Sequence, residues 1–121
     1  MTNLTIQMPI DKESWFARRV IYFPVAYLDF FPIDALRERE GGSLSGQPVI
    51  FDYGDNQITC DIVVQRDTKG QINRVRPSIT GDAIHTFFQK NGAKVGDFVT
   101  LTKVEPRKFL VQLVKINGTA L

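Results

Sequence analysis

The stretch Ile58-Thr59-Cys60-Asp61-Ile62-Val63-Val64 has the clearest strand pattern in the chain. Apolar side chains recur at every second position, which is the period of a strand with one buried face. The side chains predicted to point inward are those of Ile58, Cys60, Ile62 and Val64, with Thr59 and Asp61 pointing outward. Val49, Phe51 and Tyr53 alternate in the same way upstream, and the turn residues Gly54-Asp55-Asn56 predict a hairpin between the two strands.

Further strands are predicted on both sides of this hairpin. Residues 4–8 alternate in the same way, with Leu4, Ile6 and Met8 on one side. Residues 98–104 and 108–116 are rich in β-forming residue types, and Glu105-Pro106-Arg107 between them predicts a second hairpin. Many short strands joined by glycine and proline turns are typical of a small barrel or sandwich. The chain is therefore predicted to be mainly β.

Two short helices are predicted to interrupt the strands. The first covers residues 24–31, because Pro24 suits the first position of a helix and Pro32 ends the run. This helix is predicted to resume weakly over residues 34–39. The second helix has Thr80 as its N-cap and Gly92 at its C-terminal end. Its predicted apolar face consists of Ile84, Phe87 and Phe88.

The size and composition of the chain exclude several classes of protein. Its 121 residues, 43% of them hydrophobic, fit a single domain over residues 1–121. Cys60 and His85 are the only residues of their types, which excludes a disulfide framework and a multi-cysteine or His-rich zinc site. We expect Cys60 to be a buried apolar side chain and His85 a surface or packed one. No nucleophile–histidine set or phosphate-binding glycine loop is recognisable, so we predict no catalytic residues, no metal and no cofactor.

The sequence also contains no recognisable targeting or membrane segment. The N-terminus alternates and lacks the basic start and apolar run of a secretory signal. The most apolar window, residues 20–33, is interrupted by Pro24, Asp29 and Pro32 and is shorter than a membrane span. Gly41-Gly42-Ser43-Leu44-Ser45-Gly46 is expected to be a flexible loop within the domain. We therefore expect a soluble, intracellular protein.

Positive charge is concentrated in two segments of the chain. The formal net charge of the whole chain is only +2. Residues 12–19 carry a net charge of +2, residues 65–76 carry +3, and the other 101 residues together carry −3. Such a directional field attracts a polyanion to one place. The plainer alternative is that these arginines are solvated surface side chains.

The residue types in these two segments favour recognition of DNA bases. Arginine reads guanine, asparagine and glutamine read adenine, and lysine or serine binds phosphates. Four such polar side chains lie among the arginines: Ser14, Gln65, Gln71 and Asn73. Residues 72–76 predict a strand with Ile72, Arg74 and Arg76 on one face, and Thr68-Lys69-Gly70 predicts the tip of a projecting hairpin that fits a major groove. Trp15 is predicted to be a core or hinge residue more than a base-stacking one.

In the order of its motifs, the chain resembles the B3-type DNA-binding pseudobarrel, and most closely the N-terminal recognition domain of EcoRII-like type II restriction endonucleases. Four stretches between residues 4 and 116 carry the resemblance. They are residues 20–32 as a strand that ends in a proline and enters a short helix, 49–64 as the central hairpin, 78–92 as the element leading into the second helix, and 95–111 as the closing Gly-Asp hairpin. The tryptophan that opens the second helix in plant relatives is absent here, where Ala83 or Ile84 stands.

The resemblance implies a seven-stranded open pseudobarrel with two short helices that grips duplex DNA in the major groove between two arms. The N-arm corresponds to residues 11–22 and the C-arm to residues 65–76, which include the two basic segments. The DNA-contacting residues predicted in this way are Lys12, Ser14, Trp15, Arg18, Arg19 and Tyr22 of the N-arm and Arg66, Asp67, Lys69, Gln71, Asn73, Arg74 and Arg76 of the C-arm.

The resemblance also implies a biological setting. The chain would be the non-catalytic, monomeric recognition domain of a bacterial, cytoplasmic restriction endonuclease, with double-stranded DNA and a separate nuclease domain as partners and a CCWGG-like target site. Two other classes remain open from the residues themselves. A small barrel that binds RNA or single strands would use exposed aromatic rings for stacking. A protein-interaction barrel would dock its partner through a phenylalanine-rich face and would bind with little dependence on salt.

Overall fold

The computed structural model describes residues 4–39 and 46–115. Within these ranges the chain forms eight strands, two α-helices and two 3-10 helices. The strands are β1 (Leu4–Pro9), β2 (Leu36–Glu38), β3 (Val49–Asp52), β4 (Gln57–Cys60), β5 (Ile62–Arg66), β6 (Ile72–Pro77), β7 (Phe98–Glu105) and β8 (Lys108–Val114). The helices are α1 (Ser14–Arg18), the two 3-10 helices Val25–Phe30 and Ile33–Ala35, and α2 (Asp82–Asn91). The predicted mainly-β class is confirmed.

The strands form two sheets. One has five strands in the order β1-β7-β8-β3-β4, and the other has three in the order β2-β5-β6. Neighbours pair antiparallel except for β3 with β8 and β2 with β5, which are parallel. The described strands form no closed barrel, in agreement with the open architecture that the resemblance implied. The structure has one strand more than the seven expected. The short β2 and the division of residues 58–64 into two strands each add one, whereas the strand expected before Pro24 is reduced to an isolated bridge between Phe23 and Val75.

The strand predicted through residues 58–64 is divided between the two sheets at Asp61. β4 ends at Cys60 in the five-stranded sheet, and β5 begins at Ile62 in the three-stranded sheet. The predicted inward direction of the apolar residues holds across this break, since Cys60, Ile62 and Val64 are all buried. The alternation of apolar residues therefore predicted the buried face correctly. It did not predict that the chain passes from one sheet to the other at Asp61.

An aromatic core joins the five-stranded sheet to the first 3-10 helix. The rings of Phe51 and Phe109 stack with their centroids 5.7 Å apart, and those of Phe30 and Phe31 lie 5.5 and 5.3 Å from Phe109. Phe23 lies 5.8 Å from Phe51 and extends this cluster toward the smaller sheet, where its backbone N–H donates to the carbonyl of Val75. Ring contacts of this kind stabilise a core beyond the area that they bury.

The helices agree with the predictions in part. α2 ends at Gly92 in the left-handed conformation and buries Ile84, Phe87 and Phe88, as predicted, but its N-cap is Gly81 and not Thr80. The first predicted helix is a 3-10 helix over Val25–Phe30.

The predicted resumption of the first helix over residues 34–39 is wrong. After a single 3-10 turn, Leu36–Glu38 forms β2, with Leu36 buried and Arg37 exposed. Pairing with the buried β5 outweighs the weak helical propensity of this short segment. Residues 41–45 of the predicted loop and residue 116 of the predicted last strand lie outside the described residues. None of the described helices has the length and apolar character needed to cross a membrane.

Candidate nucleic-acid interface

The C-arm is a hairpin whose tip is organised by Asp67. β5 and β6 pair antiparallel, and the backbone N–H of Asp67 donates to the carbonyl of Gln71 across the turn. One carboxylate oxygen of Asp67 accepts hydrogen bonds from the backbone N–H groups of Lys69 and Gln71, at 2.9 and 3.0 Å. Gly70 has a φ of 81°, a left-handed conformation that favours glycine. The predicted hairpin tip is therefore present, and Asp67 shapes it.

A β-bulge in the C-arm changes which side chains share a face. Gln65 pairs with Arg74, but the next residue, Arg66, pairs with Ile72, so Asn73 is the extra residue of the bulge. Successive residues of β5 point to opposite faces, which separates Ile72 from Arg74. Ile72 packs against the hydrophobic core, whereas Arg74 is exposed. The prediction that Ile72 heads the row of Arg74 and Arg76 is therefore wrong.

Arg66 connects the C-arm to β2, the neighbouring strand of the same sheet. Its guanidinium donates from Nε and Nη2 to the carboxylate of Glu38 on β2, at 2.8–3.1 Å, and from Nη1 to the carbonyl of Gly70 at 2.8 Å. Hydrogen bonding to Glu38, and then the charge of Glu38, raise the pKa of Arg66. With these donors engaged, Arg66 sets the direction of the hairpin instead of projecting from it.

The N-arm contains one helical turn, α1, which the sequence did not predict. Its residue Trp15 is only 5% exposed, so the indole has no free face on which a base could stack. This agrees with its predicted core role and argues against a direct base contact. Arg18, at the end of α1, is exposed.

Arg19, the next residue, turns toward α2. It has a left-handed backbone, with φ 52° and ψ 53°. Its carbonyl accepts from the N–H of Gly81, and its Nη1 lies 3.0 Å from a carboxylate oxygen of Asp82. The side chain of Arg19 is thus directed to the start of the second helix.

A cleft of about 370 Å³ lies between the two arms. Seven of the thirteen predicted DNA-contacting residues line it: Lys12, Ser14, Trp15, Arg18, Tyr22, Asn73 and Arg74. The floor and rim also include Met8, Pro9, Asp11, Phe23, Pro24 and Val75. The cleft therefore combines three cationic side chains, two small polar groups and an aromatic wall, with Asp11 as its acidic member.

The two arms touch each other within this cleft. The guanidinium carbon of Arg74 lies 5.7 Å from the centroid of the Tyr22 ring, which is within the range of a cation–π interaction. Tyr22 in turn meets Trp15 edge to face, with centroids 6.1 Å apart and an angle of 71° between the rings. Trp15 thus supports Tyr22 from the core, and Tyr22 supports Arg74.

The remaining predicted residues lie outside the cleft. Lys69 and Gln71 are exposed at the hairpin tip. Arg76 is half-buried on β6 and donates from Nη1 to the carbonyl of Pro77 at 3.1 Å. Together with Arg66, Asp67 and Arg19, these residues account for all six predicted positions that do not line the cleft.

The described residues form six ion pairs, and these distinguish structural cations from available ones. Arg19 and Arg66 each pair with a carboxylate outside the arms. The other five cations of the two arms belong to none of these pairs: Lys12, Arg18, Lys69, Arg74 and Arg76. The charge that is free to meet a ligand is therefore concentrated around the cleft and along the C-arm.

Other potential sites have no comparable arrangement. No cluster of three or more His, Cys, Asp or Glu side chains that could hold a metal occurs among residues 4–39 and 46–115. Cys60 is a free, buried thiol, as predicted. His85 lines a small cavity of about 200 Å³ with Phe16 and Phe88.

Sequence reasoning missed the contribution of β2. Arg37 lies beside Val63 of β5, the backbone N–H of Arg39 donates to the carbonyl of Val64, and Glu38 supplies the partner of Arg66. The signal was the alternation of Leu36 and Glu38 with two arginines, which has the period of a strand. Because this alternating segment is short, the same residues could also be interpreted as a continuation of the first helix.

No family model matches the chain, and no curated protein matches it. Its structure is similar to the solved structure of a hypothetical protein from Arabidopsis thaliana, with a TM-score of 0.51 over 98% of this chain and 96% of that chain. The two sequences are 14% identical. At this level of identity the similarity shows a shared fold.

Proposed function

We propose that this chain binds double-stranded DNA and recognises a short sequence in the major groove. A two-stranded ribbon fits the major groove, and the C-arm hairpin is such a ribbon. In this proposal the C-arm enters the groove and the N-arm contacts the flanking backbone. The domain recognises DNA and has no catalytic role of its own.

The observation that carries the proposal is the convergence of both arms on one cationic cleft. Lys12 and Arg18 come from the N-arm and Arg74 from the C-arm, yet all three line the same cavity. If these arginines were only solvated surface side chains, the two arms would have no reason to meet at one cleft. A polyanion bound in the cleft, in contrast, needs cations on both of its sides. The contact of Arg74 with Tyr22 orders one of these cations before any ligand binds, which lowers the entropic cost of binding.

The residues have different proposed roles. Arg74 and Asn73 read base edges, since arginine and asparagine make two hydrogen bonds to guanine and adenine respectively. Lys12, Ser14 and Arg18 bind phosphates at the other wall of the cleft. The remaining contacts come from side chains beyond the cleft: Lys69, Gln71 and Arg76. Arg66 and Asp67 hold the hairpin in position, and Trp15 holds Tyr22.

The biological setting follows from the resemblance to EcoRII-like recognition domains. In that setting the chain is the target-recognition unit of a bacterial type II restriction endonuclease in the cytoplasm, bound as a monomer to DNA and working with a separate nuclease domain. A CCWGG-like sequence is the first target to test. The arms support DNA recognition independently of this setting.

The test is selection of bound sequences from a randomised duplex pool, followed by titration of the selected duplex at two salt concentrations. We expect one enriched motif and an affinity that falls steeply as salt rises, because phosphate contacts release counterions. Arg74→Ala with Arg76→Ala should remove the sequence preference. Lys90→Gln is a suitable control, since it removes one charge from α2, where Lys90 pairs with Asp55 away from the arms.

Four outcomes would contradict the proposal or its assignment to the C-arm. Binding that shows no motif would remove sequence recognition. Tighter binding to single-stranded DNA or RNA than to the duplex would favour the single-strand-binding alternative. Absence of duplex binding, together with salt-independent capture of a protein partner, would favour the interaction-barrel alternative. Retention of the motif by the double arginine variant would exclude the C-arm as the reading element.

A further inference from the structure

The three-stranded sheet presents a row of arginines from both of its edges. The register places Arg37 of β2 and Arg76 of β6 on either side of Val63 of β5. One step further along, Gln65 of β5 pairs with Arg74. On the β2 side, Arg39 follows β2 two residues after Arg37, and its backbone N–H donates to the carbonyl of Val64. We call the outer surface formed by Arg37, Arg39, Gln65, Arg74 and Arg76 the arginine face.

The strand geometry gives the spacing of these cations. Neighbouring strands lie about 4.8 Å apart, so the backbones of Arg37 and Arg76, two strands apart, are separated by about 10 Å. Residues two apart on one strand are separated by about 7 Å. The backbone positions of the four arginines therefore mark the corners of a patch of roughly 7 by 10 Å. Arg74 also lines the cleft between the arms, so the arginine face is continuous with the proposed binding site.

The charge of the arginine face is largely available. Neither Arg39 nor Arg74 takes part in an ion pair among the described residues. Among the described residues, Arg37 pairs with Asp61 through its Nε, which donates to a carboxylate oxygen at 2.6 Å, and 45% of the Arg37 side chain is exposed. Glu38 points to the opposite face, where it binds Arg66. Among the described residues, Asp61 is the carboxylate that forms an ion pair with this patch of four arginines.

The Arg37–Asp61 pair is held in place by close packing. Any side chain at position 46 would collide with the Asp61 carboxylate and press on the stem of Arg37, and Gly46 adopts a left-handed φ of 69°. Burial alone would raise the pKa of Asp61, but hydrogen bonds from Arg37 and Ser78 outweigh it and lower the pKa. Arg37 is therefore ordered, and neither of its two terminal nitrogens makes a hydrogen bond or ion pair with another described residue.

We propose that Arg37 and Arg39, the outer pair of the arginine face, bind the phosphates of duplex DNA beyond the base-reading contacts of Arg74. This inference rests on the proposed function and extends the contact surface by about 10 Å from β6, or roughly three base pairs of the 3.4 Å rise. Guanidinium groups match phosphates through paired hydrogen bonds. The contacts carry no sequence information, because every nucleotide presents the same phosphate.

The test is the salt dependence of binding by Arg37→Gln with Arg39→Gln, measured on the selected duplex with and without flanking base pairs. If each arginine neutralises one phosphate, the slope of log affinity against log salt should fall in magnitude by about 1.8 on the long duplex. The sequence preference should be unchanged, and the short duplex should show a smaller effect. Lys90→Gln with Lys94→Gln removes the same charge at α2 and the loop after it, and should leave the slope as in the wild type.

The outcomes separate this inference from the proposed function. If the wild type binds no duplex selectively, the proposed function fails. If the wild type binds selectively and the Arg37/Arg39 variant has the same salt slope, the arginine face fails alone. Loss of sequence preference in that variant would also overturn it, since phosphate contacts do not read bases. Arg39→Gln alone, which breaks no ion pair among residues 4–39 and 46–115, gives the same test with half the expected slope change if the double variant unfolds.

Discussion

The two sheets of this protein use their side chains in opposite ways. The five-stranded sheet buries stacked phenylalanines, and its ion pairs connect parts of the fold. Arg107, in the β7–β8 turn, binds Asp34 and the carbonyls of Gln47 and Pro48, while Lys115 binds the buried Asp97. The three-stranded sheet places arginines on its outer face and extends into the C-arm. Buried residues of both sheets share one core, but the phenylalanine cluster lies on the larger sheet and the exposed arginines lie on the smaller one. We therefore expect core variants of the larger sheet to leave DNA affinity per folded molecule largely unchanged, and arginine variants of the smaller sheet to leave stability largely unchanged.

The largest expected effect is loss of stability from the aromatic core. Phe109 is fully buried and contacts the rings of Phe30, Phe31 and Phe51. Phe109→Ala should lower the free energy of unfolding by about 3–5 kcal/mol, because it removes buried area and leaves a cavity. Denaturant titration measures this change. The fraction that stays folded should bind DNA with wild-type affinity, and a loss of affinity per folded molecule would show that the two sheets are not independent.

The next largest expected effect is a loss of stability at high pH that is caused by Tyr53, the residue that follows β3. Burial, and then the charge of Cys60, raise the pKa of its phenol. The unfolded chain ionises near pH 10 while the folded chain does not, so the unfolded state binds fewer protons above that pH. The free energy of unfolding should therefore be unaffected below about pH 10 and fall by up to about 1.4 kcal/mol per pH unit above it.

Tyr53→Phe separates this effect from other alkaline transitions. The variant lacks the phenol and should lose less stability than the wild type between pH 10 and 11. Parallel pH profiles for the two proteins would show that Tyr53 does not ionise on unfolding in this range. The loss of stability at high pH would then come from the ionisation of another group.

A smaller effect is expected where the C-arm is fastened to β2. Glu38→Gln removes a carboxylate that accepts three hydrogen bonds from Arg66, and the pair is partly exposed. The free energy of unfolding should fall by about 0.5–1 kcal/mol. DNA affinity should also fall by a few fold, because the hairpin loses its fixed direction.

The net charge of this variant makes its outcome decisive. Glu38→Gln makes the protein more positive, so an effect of charge alone would strengthen DNA binding. Tighter binding would therefore contradict the positioning role of Arg66. Asp55→Asn is a matched control, since it breaks an ion pair with Lys90 and changes the charge equally, but far from the C-arm.

Many strands of the larger sheet could be predicted from sequence, because alternating apolar residues and nearby turn residues indicate where these strands lie and which face is buried. Val49, Phe51 and Tyr53 recur at every second position and the glycine turn follows at once, so both the strand and its buried face were predicted correctly. The division at Asp61 could not be predicted, because the alternation of apolar residues is the same whether a strand stays in one sheet or passes to another. Likewise, the bulge at Asn73 arises from pairing with β5 and leaves no mark in the composition of β6.

In the candidate site, likewise, the sequence could not show which charged residues are structural and which are available to a ligand. Counting charges located both arms, and Arg74 does line the cleft between them. Counting could not distinguish Arg74 from Arg66, because their roles depend on which residue lies opposite. Arg66 meets Glu38, 28 residues away in sequence, whereas Arg74 meets the ring of Tyr22. A long-range partner converts one arginine into a structural residue and leaves the other available.

The smallest effect distinguishes two adjacent arginines of the N-arm. Arg19 has the left-handed conformation, which is unfavourable by about 1–2 kcal/mol for a residue with a side chain, while glycine has an entropic cost of about 0.5–1 kcal/mol. Arg19→Gly should therefore raise the free energy of unfolding by up to about 1 kcal/mol, since its pair with the exposed Asp82 contributes little. Arg19→Ala keeps the strain and should give no such gain. DNA affinity should be nearly unchanged in both variants, whereas Arg18→Ala, in the cleft, should weaken it several fold at similar stability. Equal losses of affinity at Arg18 and Arg19 would show that DNA contacts both, and that the cleft does not mark the boundary of the site.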